Sequence, residues 1–132
     1  MKFPYFAKKF KSGIIHIYEP LLMNNFWAMT KVSHEIFRKI MRSELKMEIE
    51  PTDCDGKFYS HKISGQVVGL IWSKDKGVHL MHECLHATFW AVERKGIELV
   101  LKSEEIYCYH QQFLFKCLTG GFKCGTQKNN KK

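Results

Sequence analysis

The residues of this chain best suited to chemistry lie in His82-Glu83-Cys84-Leu85-His86. Two histidines four positions apart on a helix project from the same face, so their imidazoles can bind one Zn²⁺ together. Glu83 then sits beside the metal, placed to take a proton from a bound water. The neighbours Met81, Cys84, Leu85 and Ala87 carry no charge, and the run begins an amphipathic segment long enough for a helix. Val78, Met81, Leu85, Phe89 and Val92 form an apolar stripe next to the two histidines, which predicts that the imidazoles are half buried at the edge of a core. Cys84 points away from the histidine face and reads as a small apolar filler.

Catalytic zinc takes three protein ligands and leaves one position for water, so a third donor is required. Eighteen residues separate His86 from Glu105. Ser103 reads as an N-cap with Glu104 and Glu105 in the first helical turn. That helix continues through Ile106, Tyr109, Phe113 and Cys117 to about Leu118 and ends at Gly120-Gly121. It returns beside the first helix and makes Glu105 the leading candidate ligand, with Glu104 able to replace it. Cys108 with His110, and Cys117 with Cys124, lack a ligand spacing of known strength. His34-Glu35 has Arg38 where a second histidine would have to stand.

With these residues the chain resembles the gluzincin branch of the zincin metallopeptidases, in which H-E-x-x-H is followed at a set distance by a glutamate ligand. The matching residues are His82, Glu83, His86 and Glu105, and the likeness runs from Gln66 to Leu118. The chain is also similar in size to minimal gluzincins and to short phage-encoded H-E-x-x-H proteins. The resemblance implies a zinc metallopeptidase with Zn²⁺ on His82, His86 and Glu105, and Glu83 as general base. It further implies a peptide or protein substrate. In zincins an edge strand just before the active-site helix pairs with the substrate backbone, and the strand from Gln66 to Trp72 stands in that place.

Two features depart from the family. Tyr109 occupies the position at which thermolysin-like members carry an aspartate that orients a ligand histidine, and a phenol adds no charge to raise ligand basicity. The helical second domain of the large gluzincins has no counterpart. His79, Tyr107 and His110 lie nearby in sequence but match no family position for stabilising an oxyanion. A non-catalytic zincin acting through a protein partner, such as a phage or mobile-element accessory protein, is the alternative reading.

The elements that must position these residues follow from length and pattern. A chain of 132 residues, 45% of them hydrophobic, fits one domain with a core that needs no staples. Residues 1–125 are expected to form a single zincin-like domain and 126–132 a flexible basic tail. The β-branched and aromatic run 14–18, stopped by Pro20, predicts a strand. From Asn24 or Asn25, apolar residues recur at three- and four-residue steps, Phe26, Met29, Val32, Ile36, Phe37, Ile40 and Met41, and predict the longest helix through about Leu45. Lys46 to Glu50 alternates polar and apolar like a short half-exposed strand. Residues 57–63 and 66–72 flank Ser64-Gly65 and predict a hairpin whose second strand is apolar on both faces. Gly96 ends the histidine-bearing helix. The fold class is therefore α+β, a minimal zincin-like domain with a small twisted sheet, mostly antiparallel or mixed, packed on about three helices.

A net charge of +8 raises the question of nucleic acid. The basic residues are spread along the chain, and only Arg38, Arg42 and Lys46 could form a phosphate-facing helix stripe. A solvated helix face accounts for them as well, leaving a basic nucleic-acid-binding module as the second alternative. Pro4, Lys2, Lys8, Lys9 and Lys11 break up the first residues, so the apolar core of a secretory signal is missing. No run approaches a membrane span. Five cysteines, without a C-x-x-C pair, read as reduced thiols. The expected compartment is the cytoplasm, that of the host if the chain is phage-encoded.

Overall fold

Ile15, Ile17, Phe26, Ala28 and Ile71 point to one side of a five-stranded sheet, and Met29, Val68, Leu70 and Trp72 to the other. Each set is covered by helix, which gives the domain its α+β layers. This computed structural model describes residues 7–120, so the expected tail 126–132, Gly121 and Cys124 lie outside the described residues. The strands are β1 (Ala7–Lys9), β2 (Ile15–Glu19), β3 (Asn24–Thr30), β4 (Gly56–Ile63) and β5 (Gln66–Ser73), and the helices α1 (His34–Leu45), α2 (Val78–Glu93) and α3 (Glu104–Thr119). Strand order is β1-β2-β3-β5-β4. Only β3 and β5 run parallel; the sheet is mixed.

On the first side, Leu80, Cys84, Ala87 and Ala91 of α2 and Leu114, Cys117 and Leu118 of α3 close the core. On the second, Phe37 and Met41 of α1 pack with Met29, Leu70 and Trp72. Ser64 and Gly65 both take positive φ, 51° and 84°, so β4 and β5 are joined by the two-residue turn whose twist suits a hairpin. Gly69 is required on β5, because a Cβ there would lie 2.6 Å from Cδ1 of Phe26. Trp90 of α2 meets Phe26 edge-on at 5.6 Å and Phe58 at 5.5 Å, fixing α2 across β3, β5 and β4.

Several expectations are corrected. The segment 24–30 is a strand, and the helix begins only at His34, where the Ser33 hydroxyl accepts from the Ile36 N–H at 3.1 Å. Phe26 and Ala28 serve one core and Met29 the other, so this inner strand is apolar on both faces and imitates helical spacing. Residues 46–50 keep the predicted alternation, with Met47 and Ile49 buried, but find no strand partner. They are tied instead to α1, through Arg38 Nε donating to the Ile49 carbonyl at 2.6 Å. β1 is an edge strand that periodicity did not reveal. The strand 66–72 is paired on both sides, by β3 and β4, and cannot add a substrate strand; the outer edge next to α2 belongs to β4.

The histidine-bearing helix α2 also docks by a different face from the one expected. Val78 is 76% exposed, Met81 48% and Leu85 37%, while Leu80, Cys84, Ala87 and Ala91 are buried. Small side chains let α2 approach the sheet closely, and that face wins over the one with larger apolar groups.

Candidate metal centre

α2 starts where β5 ends. Asp75 holds the junction: its Oδ1 accepts from the Gly77 N–H at 3.0 Å and from the Ser73 hydroxyl at 3.3 Å, and its Oδ2 lies 2.5 Å from His79 Nδ1. The bond to His79 pulls the Asp75 carboxyl down to about 2. His79 Nε2 is 3.4 Å from Asp55, which also pairs with Lys74 at 3.1 Å. The loop before β4 is thereby fastened to the first turn of α2, one turn ahead of His82 and Glu83.

His82 and His86 come together as their spacing predicts. Their Nε2 atoms are 3.1 Å apart with the rings at 80°, and one imidazole N–H donates to the bare nitrogen of the other. Nitrogens each ~2.0–2.1 Å from one tetrahedral Zn²⁺ stand roughly 3.3 Å apart, so this pair needs little adjustment to share an ion. Both rings are exposed rather than half buried, because the helix presents them opposite its docking face. Glu83 is the reverse: only 7% exposed, it turns toward β4, where its Cγ would come within 3.0 Å of a Cβ at Gly56. Glycine at 56 leaves the room that this side chain uses. Burial raises the Glu83 carboxyl above its ordinary value, and His86, His82, Lys57 and His79 offset part of the rise. Its oxygens make no hydrogen bond or ion pair among the described residues, and they open on the cleft instead of being sealed in the core.

Histidines and glutamate border a cleft of about 410 Å³ whose other lining residues are Cys54, Gly56, Lys57, Phe58 and Trp90. The free edge of β4 forms one wall and α2 the other. None of these five residues stood out in the sequence. Trp90 lies on α2 one turn beyond His86; the other four belong to a loop and strand remote from the motif, and only the pairing of β4 with β5 brings them beside α2.

The third ligand is where spacing and structure part. Glu105 is exposed on the first turn of α3 and borders neither this cleft nor the neighbouring groove. Glu104 does border that groove, about 350 Å³, with Leu85, Phe89, Tyr107 and Cys108. Gln111, two turns along the same face of α3, donates to the Met81 carbonyl at 3.2 Å. Of the two glutamates, Glu104 thus lies on the side of α3 turned to the outer surface of α2. Among the described residues no third histidine, cysteine, aspartate or glutamate stands close enough to complete a ligand group.

Other sequence candidates have local duties. His110 is buried between Thr88 and Glu19, and the Tyr107 hydroxyl donates to the Ile97 carbonyl at 2.9 Å, so neither reaches the cleft. Burial, with Cys117 and Glu83 nearby, pushes the Cys84 thiol up to about 12, in keeping with a filler. Arg38 is spent on Ile49, Arg42 pairs with Glu48 at 3.0 Å, and Lys46 Nζ donates to the Ser43 carbonyl, so the supposed phosphate stripe is occupied locally. No described helix is long and apolar enough to cross a membrane. No protein-family model, curated protein or solved structure matches the chain, and the chemistry of the site is read from its own residues.

Proposed function

We propose that this chain is a small zinc-dependent peptidase, with His82 and His86 as metal ligands and Glu83 as general base. The observation that carries the proposal is the convergence of the two Nε2 atoms at 3.1 Å beside Glu83, whose side chain is largely buried and borders the same cleft. When bound, Zn²⁺ supplies acidity to a water and polarisation to a carbonyl. Glu83 takes the proton of the attacking water and returns it to the leaving amine, a task suited to a carboxyl raised by burial. An extended peptide adds to the open edge of β4, where Gly56, Lys57 and Phe58 line the cleft, and its carbonyl faces α2. Completing the zinc shell requires a third donor to move in, and of the two glutamates at the start of α3 it is Glu104, not Glu105, that faces α2.

Metal content and cleavage of a peptide library, read by mass spectrometry, test the proposal. His82→Ala and His86→Ala are expected to lose bound zinc. Glu83→Gln is expected to keep the metal and lose turnover by about 10²–10⁴-fold. Retention of zinc by the double alanine variant would refute the ligand assignment. Full turnover by Glu83→Gln would refute the base. Zinc held normally with no cleavage by the native chain favours the non-catalytic reading, which the two-donor geometry also fits.

A further inference from the structure

On the second side of the sheet, α1 packs on β5 through Phe37 and Met41, while β1, β2 and β3 present a surface of another kind. Lys8, His16 and Trp27 stand in register across those three strands. The His16 ring stacks on Trp27 with centroids 4.3 Å apart and planes at 27°. Phe10 meets Trp27 at 6.1 Å, and Lys8 Nζ lies 4.9 Å over the Phe10 ring. Phe10 is 37% exposed and Trp27 only partly buried, so both keep ring surface open to solvent. Next to this row lies a cleft of about 410 Å³ bordered by His16, Asn25, Trp27, Ser64 and Gln66. Asn25 Oδ1 accepts from His16 Nε2 at 2.8 Å, and burial lowers the His16 pKa, so this imidazole is a neutral ring at pH 7. The Asn25 amide N–H groups, the Trp27 indole N–H, the Ser64 hydroxyl and the Gln66 amide make no hydrogen bond among the described residues.

Charge gives this surface its partner. The five strands carry Lys8, Lys9, Lys57 and Lys62, and their only carboxylate is Glu19, buried on the first side against His110. Lys9 and Lys62 are exposed, as is Lys11 in the turn that follows β1. Open aromatic rings, neutral side chains able to bond base edges, and lysines without neighbouring carboxylates together match an unpaired polynucleotide: bases stack on the rings and phosphates meet the lysines. A duplex keeps its bases stacked inside and leaves the rings nothing to hold. From this juxtaposition we infer that the β1–β3 part of the sheet binds single-stranded nucleic acid, stacking bases on Phe10 and Trp27 and bonding their edges through Asn25 and Gln66. The surface lies on the side of the sheet away from α2 and owes nothing to the proposed metal site.

The test is fluorescence anisotropy of a labelled oligothymidylate of about twelve nucleotides titrated with the full chain. Native protein is expected to bind it about tenfold or more tightly than a duplex of the same length. Trp27→Ala and Phe10→Ala are each expected to weaken binding by about tenfold, and Trp27→Phe by much less. Gln66→Glu sets a negative charge at an exposed position on the cleft and is expected to weaken binding without touching the core, which keeps the test decisive should Trp27→Ala fail to fold. Lys8→Gln, Lys9→Gln and Lys62→Gln together are expected to flatten the slope of log K against log salt by about two. Lys39→Gln, Lys95→Gln and Lys102→Gln, which remove the same charge from exposed positions outside the sheet, are expected to change the slope far less. The His82→Ala, His86→Ala variant is expected to bind as the native chain does. No binding by the native chain at low salt, equal affinity for the duplex, equal effects of the two lysine sets, or unchanged binding by both Phe10→Ala and Gln66→Glu overturns the assignment.

Discussion

Two histidine clusters meet α2 within two turns of each other, the inner one through Thr88 and the outer one through His82 and His86, and are built in opposite ways. At the inner one, Thr88 Oγ1 is 2.8 Å from His110 Nδ1, His110 Nε2 is 3.1 Å from Glu19, and the other Glu19 oxygen accepts from the Leu22 N–H at 2.5 Å. All three side chains are at most 1% exposed. At the outer one the imidazoles are exposed and, among the described residues, hydrogen-bond to each other alone, and they stand beside Glu83, whose largely buried side chain opens on the cleft without a hydrogen bond to a described residue. The residue types are nearly the same. What separates a tie between elements from a site with capacity for a ligand is whether the polar atoms are already used. The inner cluster joins β2, α2 and α3; the outer one ties its side chains to no other element among the described residues.

That contrast is broken most forcefully at the inner cluster. Glu19→Ala or His110→Ala leaves a buried polar partner alone and is expected to cost about 3–5 kcal/mol of stability. The loss is read as a lower urea midpoint with unchanged slope. Co²⁺ binding by the folded fraction is expected to stay as it was, since neither residue borders the cleft. If both variants kept native stability, the inner cluster would not be the tie that its bonds suggest.

A smaller effect sharpens the outer cluster. In Gly56→Ala the new Cβ would sit 3.0 Å from Glu83 Cγ and 3.3 Å from both Glu83 Oε2 and the Trp72 carbonyl. The side chain yields more easily than the strand, so the carboxylate moves. Turnover is expected to fall by up to about 10²-fold with metal content unchanged, because misplacement of a reacting group by an ångström can cost that much. Unaltered turnover on the peptide library would show that Gly56 does not set the position of Glu83.

How much of this was legible in the chain depends on range. His82 and His86 share a helix, so four-residue spacing alone predicted their meeting. Ser64-Gly65 encoded the β4–β5 turn in the same local way. The segment 24–30 misled because a strand covered on both faces has no period-2 signal, and Phe26, Met29 and Val32 then fit a helical step. The exposure of Val78 and Met81 was hidden by a helix apolar nearly all round, where close packing of Ala87 and Ala91 decides the docked face. Cys54, Gly56 and Lys57 could not be joined to the motif before strand order was known, and the same holds for β4 rather than β5 as the free edge. The facing of Glu104 against Glu105 is a matter of 100° of helix rotation, which spacing from His86 does not resolve.

The smallest effect concerns pH, and it separates a hydrogen-bonded carboxylate from one that is only desolvated at the same helix end. Asp75, held down to about 2 by its bond to His79, favours the folded state above its ordinary value of 3.8 and loses that contribution as pH falls toward 2. Glu83 has the opposite sign. Burial raises its carboxyl above 4.5, so as pH climbs from there the unfolded chain releases its proton first and ionisation is costlier in the folded protein. In metal-free protein the penalty is absent below about pH 4.5 and complete once pH has passed the folded value. Glu83→Gln removes the charge and hence the penalty. Urea midpoints of the metal-free native chain and the variant, compared from about pH 4 to about pH 7, are expected to diverge in favour of the variant as pH rises. Zinc reverses the ranking of cost, since a cation beside the carboxylate offsets its desolvation, and the divergence is expected to shrink in the loaded protein. A variant that loses ground as pH rises in the metal-free state would mean that the folded protein stabilises the Glu83 carboxylate instead of penalising it, and would place the outer cluster in the same class as the inner one.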